Sequence, residues 1–426
     1  MLYFRIKEIF QSMANLLLNV VKRQKNDINH HLKAGYRSRS ALPILQKQLS
    51  SPLVKVILGP RRCGKSTLAL MALEGKSFAY LNFEDDSIPF NTSGDEVLSA
   101  LLSVYGNCEF YFFDEIQNMD RWEQFIHRIH REGKNCVVSG SNAHLLSSEL
   151  ATALTGRHVA IQLLPFSYFE ISQKKIEEKI PDFEKYLVHG GFPQVVLNQV
   201  DPTEYLRTLW DSIVLKDIVR RHKVRNVAAL NEVYDLLIAS VASKFNYDSL
   251  TRSLGTRVSA PTVKNFLRYA SEAYLVSELG PFHFSTRKRI KSDRKIYTYD
   301  NGFVSAKRVQ ISGDKGRLLE NLVFCELVRR GARPNIDLFY FQTSRGYEVD
   351  FLWRNATKKH QLIQVTWMME AQKTKERELR ALVDAAKELG LNSATILCYS
   401  LSENFEINGI TIEVTPIQEW LMNMNQ

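Results

Sequence analysis

Short apolar runs alternating with helically spaced segments organise the first 170 residues. Val54 to Leu58, Ser77 to Phe83, Glu109 to Phe113, Asn135 to Val138 and His158 to Leu164 are rich in β-branched and aromatic side chains, the composition of buried strands. Between them Lys65 to Leu73 and Gly94 to Tyr105 read as helices. Five strands with intervening helices predict a doubly wound parallel α/β sheet. Residues 166–228 then read as helices, with Gly190-Gly191-Phe192-Pro193 as a turn. A helix from Leu230 is followed by a pair of helices, Tyr247 to Leu254 and Ser259 to Tyr274, joined by a turn at Gly255. The last third holds an apolar helix over Leu318 to Leu327, strands at Tyr347 to Phe351 and Leu362 to Trp367, and an amphipathic helix over Glu376 to Leu389.

At the N-terminus Leu2, Ile6, Ile9, Met13, Leu16, Leu17 and Val20 fall close to helical spacing. The apolar stretch Ile9 to Val21 is interrupted by Gln11, Ser12, Asn15 and Asn19 and is too short to cross a bilayer. An amphipathic helix packed on the rest of the chain or on a neighbouring subunit is expected, without stable membrane insertion.

The strand Val54 to Leu58 runs into Gly59-Pro60-Arg61-Arg62-Cys63-Gly64-Lys65-Ser66-Thr67, which fills every fixed position of G-x-x-x-x-G-K-[ST] between a strand and a helix. Such a loop turns its backbone N–H groups inward as an anion nest. Lys65 is expected to place a charge on the β- and γ-phosphates of ATP, and the Ser66 hydroxyl to reach Mg2+. The strand Glu109 to Phe113 ends in Asp114-Glu115. Asp114 is expected to share the Mg2+ with Ser66, and Glu115 to act as general base on the attacking water. A single strand separates these two motifs in sequence, the order of P-loop proteins whose sheet carries an inserted strand between them. Ser139, Ser141 or Asn142, after the fourth strand, are candidates for contact with the γ-phosphate or the water. Arg157, just before the fifth, is a candidate to complete a neighbouring subunit's site.

The 426 residues suffice for two or three domains, and 45% apolar with 24% charged residues is ordinary for a globular chain. The formal charge of +10 makes an anionic partner such as double-stranded DNA a candidate. Five scattered cysteines, Cys63, Cys108, Cys136, Cys325 and Cys398, show no C-x-x-C spacing and suit a reducing cytoplasm.

Gly-Pro-Arg-Arg-x-Gly-Lys-Ser at 59–66, Phe-Phe-Asp-Glu-Ile-Gln at 112–117 and Ser-Gly-Ser-Asn at 139–142 together resemble one prokaryotic AAA-type ATPase family. Leu-Thr-Gly-Arg at 154–157, Leu-Pro-Phe-Ser at 164–167 and His-Gly-Gly-Phe-Pro at 189–193 extend the likeness over nearly the whole chain after residue 35. The resemblance implies a cytoplasmic, oligomeric ATPase with a winged-helix-like module and a C-terminal α/β domain similar to restriction-type nucleases. The expected division is 1–35 for an amphipathic segment, 36–170 for the ATPase, 171–228 for a helical segment, 229–295 for the winged-helix-like module and 296–426 for the nuclease-like domain. In the module Thr262, Lys264, Asn265 and Arg268 would lie on the second helix, and the basic run Arg287 to Lys291, with Arg294 and Lys295, would form the wing.

An active nuclease of that kind wants an aspartate followed by Glu-x-Lys. Here Glu320 and Asp350 are present, but the second slot reads Gln364-Val365-Thr366. A depleted metal site and an inactive domain are expected. The chain is thus read as an ATPase that acts as a switch or motor on DNA. The alternatives are an ATP-gated metal-dependent nuclease and a nucleotide-controlled scaffold for protein partners.

Overall fold

The computed structural model describes residues 15–28, 36–143, 156–173, 182–197, 200–255, 258–283, 285, 292–307, 315–354 and 359–423. The chain divides into two compact units, Met1–Leu163 and Leu164–Gln426. The division falls before the expected end of the ATPase region at 170.

The first unit is built on β1 (Val54–Leu58), β2 (Phe78–Asn82), β3 (Phe110–Asp114), β4 (Asn135–Gly140) and β5 (His158–Gln162), all parallel, in the order β2-β3-β4-β1-β5. The strand inserted between β1 and β3 is therefore β4, while β2 lies at the edge. β1 and β3 are buried at every position, which is why they read as unbroken apolar runs. The helix Gly94–Tyr105 starts at a reciprocal cap: Ser93 Oγ accepts from Glu96 N at 3.3 Å, and Glu96 Oε2 accepts from Ser93 N at 2.7 Å. Such a cap stabilises by about 1 kcal/mol. The helix Trp122–Arg131 buries Trp122, Phe125, Ile126 and Ile129, the i, i+3, i+4, i+7 stripe of a helix lying on a sheet.

Residues 15–28 are helical and bury Leu17, Val20, Val21, Gln24 and Ile28. The expected residues 1–14 of this helix lie outside the described residues. The Gln24 side chain pairs with the free edge of β2, accepting from Asn82 N at 2.8 Å and donating to Asn82 O at 3.1 Å. It thereby covers the open edge of the sheet. Arg23 adds an ion pair to Asp85 at 2.6 Å.

In the second unit the helices Tyr168–Ser172, Phe183–His189, Pro193–Val196 and Pro202–Ile213 precede a π-helical turn, Val214–Arg220. The double glycine before Pro193 has a steric cause. Gly190 has φ +72°, and a Cβ there would lie 1.7 Å from Asp300 Oδ1; one on Gly191 would lie 2.0 Å from the Phe166 carbonyl oxygen. Asp300 accepts from Gly191 N and from Gly302 N, both at 2.8 Å, and Asn321 Nδ2 donates to Asn301 Oδ1 at 2.7 Å. Asp300-Asn301-Gly302 is thus a buried turn that anchors the chain.

A three-stranded antiparallel sheet follows, formed by β6 (Lys244–Phe245), β7 (Val276–Leu279) and β8 (Arg294–Thr298) in the order β6-β8-β7. The helices Tyr247–Ser253 and Ala260–Glu272 lie between β6 and β7 in the chain. The proposed edge at 295/296 falls inside β8; of the expected wing, the run 287–291 lies outside the described residues, while Arg294 and Lys295 lie in β8 and Lys295 is buried. The final sheet is mixed: β9 (Leu338–Gln342), β10 (Glu348–Arg354), β11 (His360–Val365), β12 (Ser393–Cys398), β13 (Glu403–Ile407) and β14 (Ile410–Pro416), ordered β13-β14-β12-β11-β10-β9. The helix Gln372–Leu389 packs Ala381, Leu382, Ala385 and Ala386 into its core. Among the described residues no helix is long and apolar enough to cross a membrane.

Candidate active site

The C-terminal ends of β1, β3 and β4 bring the chemistry-bearing residues of the first unit together. Between β1 and the helix Lys65–Ala72 the loop turns at Gly64, whose φ of +98° is the left-handed conformation that glycine adopts at least cost. A Cβ on Gly59 would meet the Leu163 carbonyl oxygen at 1.9 Å, so only glycine fits beside β5's exit. Arg39 Nη1 donates to the Cys63 carbonyl at 2.9 Å and braces the loop from outside. The Cys63 thiol is buried, donates to Leu163 O at 3.3 Å, and has its pKa raised by that burial.

Lys65 curls back over the loop, donating to Gly59 O at 3.2 Å and Pro60 O at 3.0 Å. Its Nζ also lies 3.2 Å from Glu115 Oε1. Arg61, 8% exposed, is ion-paired with Glu84. Arg62 is exposed, with φ +65°.

Asp114 is buried at the end of β3. Its Oδ2 accepts from Tyr80 OH at 3.1 Å, its Oδ1 accepts from Ser139 Oγ, and the Ser66 hydroxyl also hydrogen-bonds to it. Ser66 and Asp114 thus form an oxygen pair suited to a hard cation. Glu115 follows in the left-handed region, φ 49° and ψ 46°, an uncommon geometry for a non-glycine residue. It is held there by its N–H to Ser139 Oγ at 3.1 Å, while its Oε2 accepts from Gln117 Nε2 at 2.5 Å and Ser141 N at 3.2 Å.

The adjacent carboxylates titrate in opposite directions. Burial, and then repulsion from Glu115, raise the Asp114 pKa. Burial pushes Glu115 up too, but Lys65, the Gln117 amide and Arg61 outweigh it and bring it to about 2.

Of the three candidates at the end of the fourth strand, Ser139, within β4, binds both carboxylate residues, whereas Ser141 reaches Glu115 through its backbone N–H and accepts from Gln117 Nε2 at 3.3 Å. Tyr80, Gln117 and Arg61's pairing with Glu84 are additions that the sequence did not single out. The i, i+2 spacing of Gln117 after Glu115 is the signal that was there to read. Arg157 lies at the N-terminal end of β5, its Nη1 3.2 Å from His127 Nε2. The site sits at the other end of those strands. At ~3.3 Å per residue, the length of β5 separates Arg157 from its own chain's site by roughly 16 Å.

A parallel sheet with a phosphate loop after β1 and an Asp–Glu pair after β3 defines a P-loop nucleoside-triphosphatase domain. A family model of an AAA domain matches residues 51–172, followed by two domains of unknown function, DUF8612 over 180–313 and DUF4143 over 315–420. An uncharacterized protein of Methanocaldococcus jannaschii is 34% identical over 397 residues, 86% of this chain and 88% of that one. Another, of Haemophilus influenzae, is 28% identical over 397 residues, 87% of this chain and 94% of that one. The chain belongs to this family of AAA-domain ATPases with C-terminal domains of unknown function. Among solved structures it is similar to the Walker-type ATPase of Pyrococcus abyssi, with a TM-score of 0.42, 14% identity, and coverage of 64% of this chain and 96% of that one.

Proposed function

We propose that the chain binds ATP and hydrolyses it by in-line attack of a water on the γ-phosphate, using turnover as a switch on DNA or a DNA-bound complex. The observation that carries the hydrolytic reading is the 3.2 Å contact of Lys65 Nζ with Glu115 Oε1. Each phosphate-directed cation of the loop is held by a carboxylate, Lys65 by Glu115 and Arg61 by Glu84. A γ-phosphate competes for both cations. Once Lys65 turns to it, Glu115 loses the charge that depresses its pKa and becomes a base able to polarise water. The base therefore stays quenched until substrate is seated.

The backbone N–H groups of 59–64 and the positive end of the helix Lys65–Ala72 would receive the phosphates. Ser66 and Asp114 would hold Mg2+, whose chemistry there is to neutralise charge on the phosphate oxygens. Ser139 positions Asp114 and Glu115, and Ser141 and Gln117 orient the Glu115 carboxylate. The placement of Arg157 at the far end of β5 favours action on a neighbouring subunit over its own, in keeping with a homo-oligomer.

Support for DNA comes from the second unit. The helix Val227–Ala239, β6, two helices, β7 and β8 follow in the order of a winged helix-turn-helix, with the sheet order β6-β8-β7. Lys264, Asn265 and Arg268 are exposed on the second helix of the pair, where such modules meet DNA. The test is steady-state ATP hydrolysis by the wild type and Glu115→Gln, with and without double-stranded DNA. The wild type is expected to turn over and to accelerate several-fold with DNA, while the variant binds ATP without hydrolysing it. Turnover indifferent to DNA would move the basic helix to a protein partner, and normal hydrolysis by Glu115→Gln would remove Glu115 as the base.

A further inference from the structure

A second charged centre lies in the C-terminal unit, on the residues whose sequence reads as a depleted metal site. Lys295 on β8 is 3% exposed, and its Nζ lies 2.8 Å from each of Glu320 Oε1, Glu348 Oε1 and Asp350 Oδ1. Glu320 comes from the helix Lys315–Arg329, and Glu348 and Asp350 from alternate positions of β10, which face the same side of the strand. An ammonium has three N–H donors, and each here meets one carboxylate. Other acceptor sites are also occupied. Tyr297 OH donates to Glu320 Oε1 at 2.7 Å, Val365 N donates to Asp350 Oδ2 at 3.0 Å, and Lys244 pairs with Glu348 Oε2.

These are the distances of charge-assisted N–H···O bonds, about 2.7–2.9 Å. Among the described residues no group of three His, Cys, Asp or Glu side chains is placed to hold a metal ion. We propose that the Lys295 ammonium is the resident cation of this centre, standing where a divalent ion would otherwise sit. The C-terminal unit is then a metal-free ion-pair junction that ties β8 to β10 and the helix Lys315–Arg329, and it is not a metal-dependent hydrolase. Without the lysine, the three carboxylates would lose their shared counter-charge, which a divalent cation could replace once their side chains close on it.

The experiment is Mn2+ titration of the full-length protein without nucleotide, followed by electron paramagnetic resonance, with thermal unfolding in parallel. The ATPase site is the same in every variant and cancels in the comparison. Lys295→Met is expected to bind one more Mn2+ per chain than the wild type and to regain, with Mn2+, part of the thermal stability it loses. Adding Asp350→Asn to that variant is expected to abolish the extra ion. Should Lys295→Met fail to fold, Glu348→Gln in the otherwise intact chain decides, and it is expected to leave the Mn2+ stoichiometry of the wild type unchanged. A loss of bound Mn2+ on Glu348→Gln overturns the proposal, because a metal would then share the cage with Lys295. A folded Lys295→Met that takes up no extra ion overturns it equally.

Discussion

Lys65 and Glu115, fifty positions apart in the chain, meet at 3.2 Å where the helix after β1 begins and β3 ends. On the proposed function, the carboxylate expected to activate water therefore competes with an incoming phosphate for Lys65. Replacing Glu115 by glutamine removes the charge that competes with phosphate for Lys65. Glu115→Gln is expected to bind ATP about tenfold more tightly, equivalent to ~1.4 kcal/mol, in a fluorescent-nucleotide titration. Equal or weaker binding would show that the ion pair does not oppose the nucleotide.

Arg61 is placed to follow the same logic through Glu84. If its guanidinium turns to the γ-phosphate, Arg61→Ala should lower kcat by roughly ten- to a thousandfold, up to the lower end of the ~10³–10⁵ range of catalytic arginines. Glu84→Gln separates this role from a structural one. It removes the Glu84 charge that pairs with Arg61 and should keep kcat within a few-fold of the wild type. If both variants lose activity alike, the pair matters for the fold of the site and not for the phosphate.

The double glycine before Pro193 should not tolerate a methyl group. Gly191→Ala would drive a Cβ to 2.0 Å from the Phe166 carbonyl oxygen, and the neighbouring backbone offers no flexible side chain to give way. A loss of about 3 kcal/mol, or roughly 6–10 °C in Tm, is expected by calorimetry. Gly316→Ala is the matched control, since a Cβ there meets nothing within 4 Å and alanine favours the helix it begins. Its Tm should stay level or rise.

Asp300 makes stability depend on pH in an unusual direction. Burial raises its carboxyl from 3.8 to about 6, against the opposing pull of the Gly191 and Gly302 N–H groups. Between those values the folded chain binds the proton more tightly than the unfolded chain, so stability falls as pH rises through the window. The loss is of the order of 3 kcal/mol and is complete above about pH 6. Urea midpoints from pH 4 to pH 7 should show this slope in the wild type and lack it in Asp300→Asn, whose overall stability is lower because one N–H loses its acceptor. Parallel slopes in the two proteins would place the titration elsewhere.

How much of this was legible differs between the two units. The phosphate loop could be read directly because its residues are contiguous: Gly64, Lys65 and Ser66 lie on one turn and the helix it starts. Asp114 and Glu115 were readable for the same reason, as the polar end of an apolar strand. The choice between Ser139 and Ser141 was not, because residues two apart on a strand share a face, and what separates them is that β4 ends at Gly140, between the two. Gly190 and Gly191 stood out as a motif, yet their cause, Asp300 and Phe166, lies on other elements.

By itself the sequence determined the parallel α/β class of the first unit, the loop, the carboxylate pair and the positions of most helices. These follow from local propensity and from periodicity, which act over a few residues. Only the tertiary structure decided that β4 is the inserted strand, that Glu115 rests on Lys65, and that Lys295 completes the centre of Glu320, Glu348 and Asp350. The physical reason is that a buried charge must find its counter-charge wherever the chain returns in space. Lys295 finds Glu320 and Asp350 at 25 and 55 positions' remove, a distance over which no spacing rule in the sequence holds.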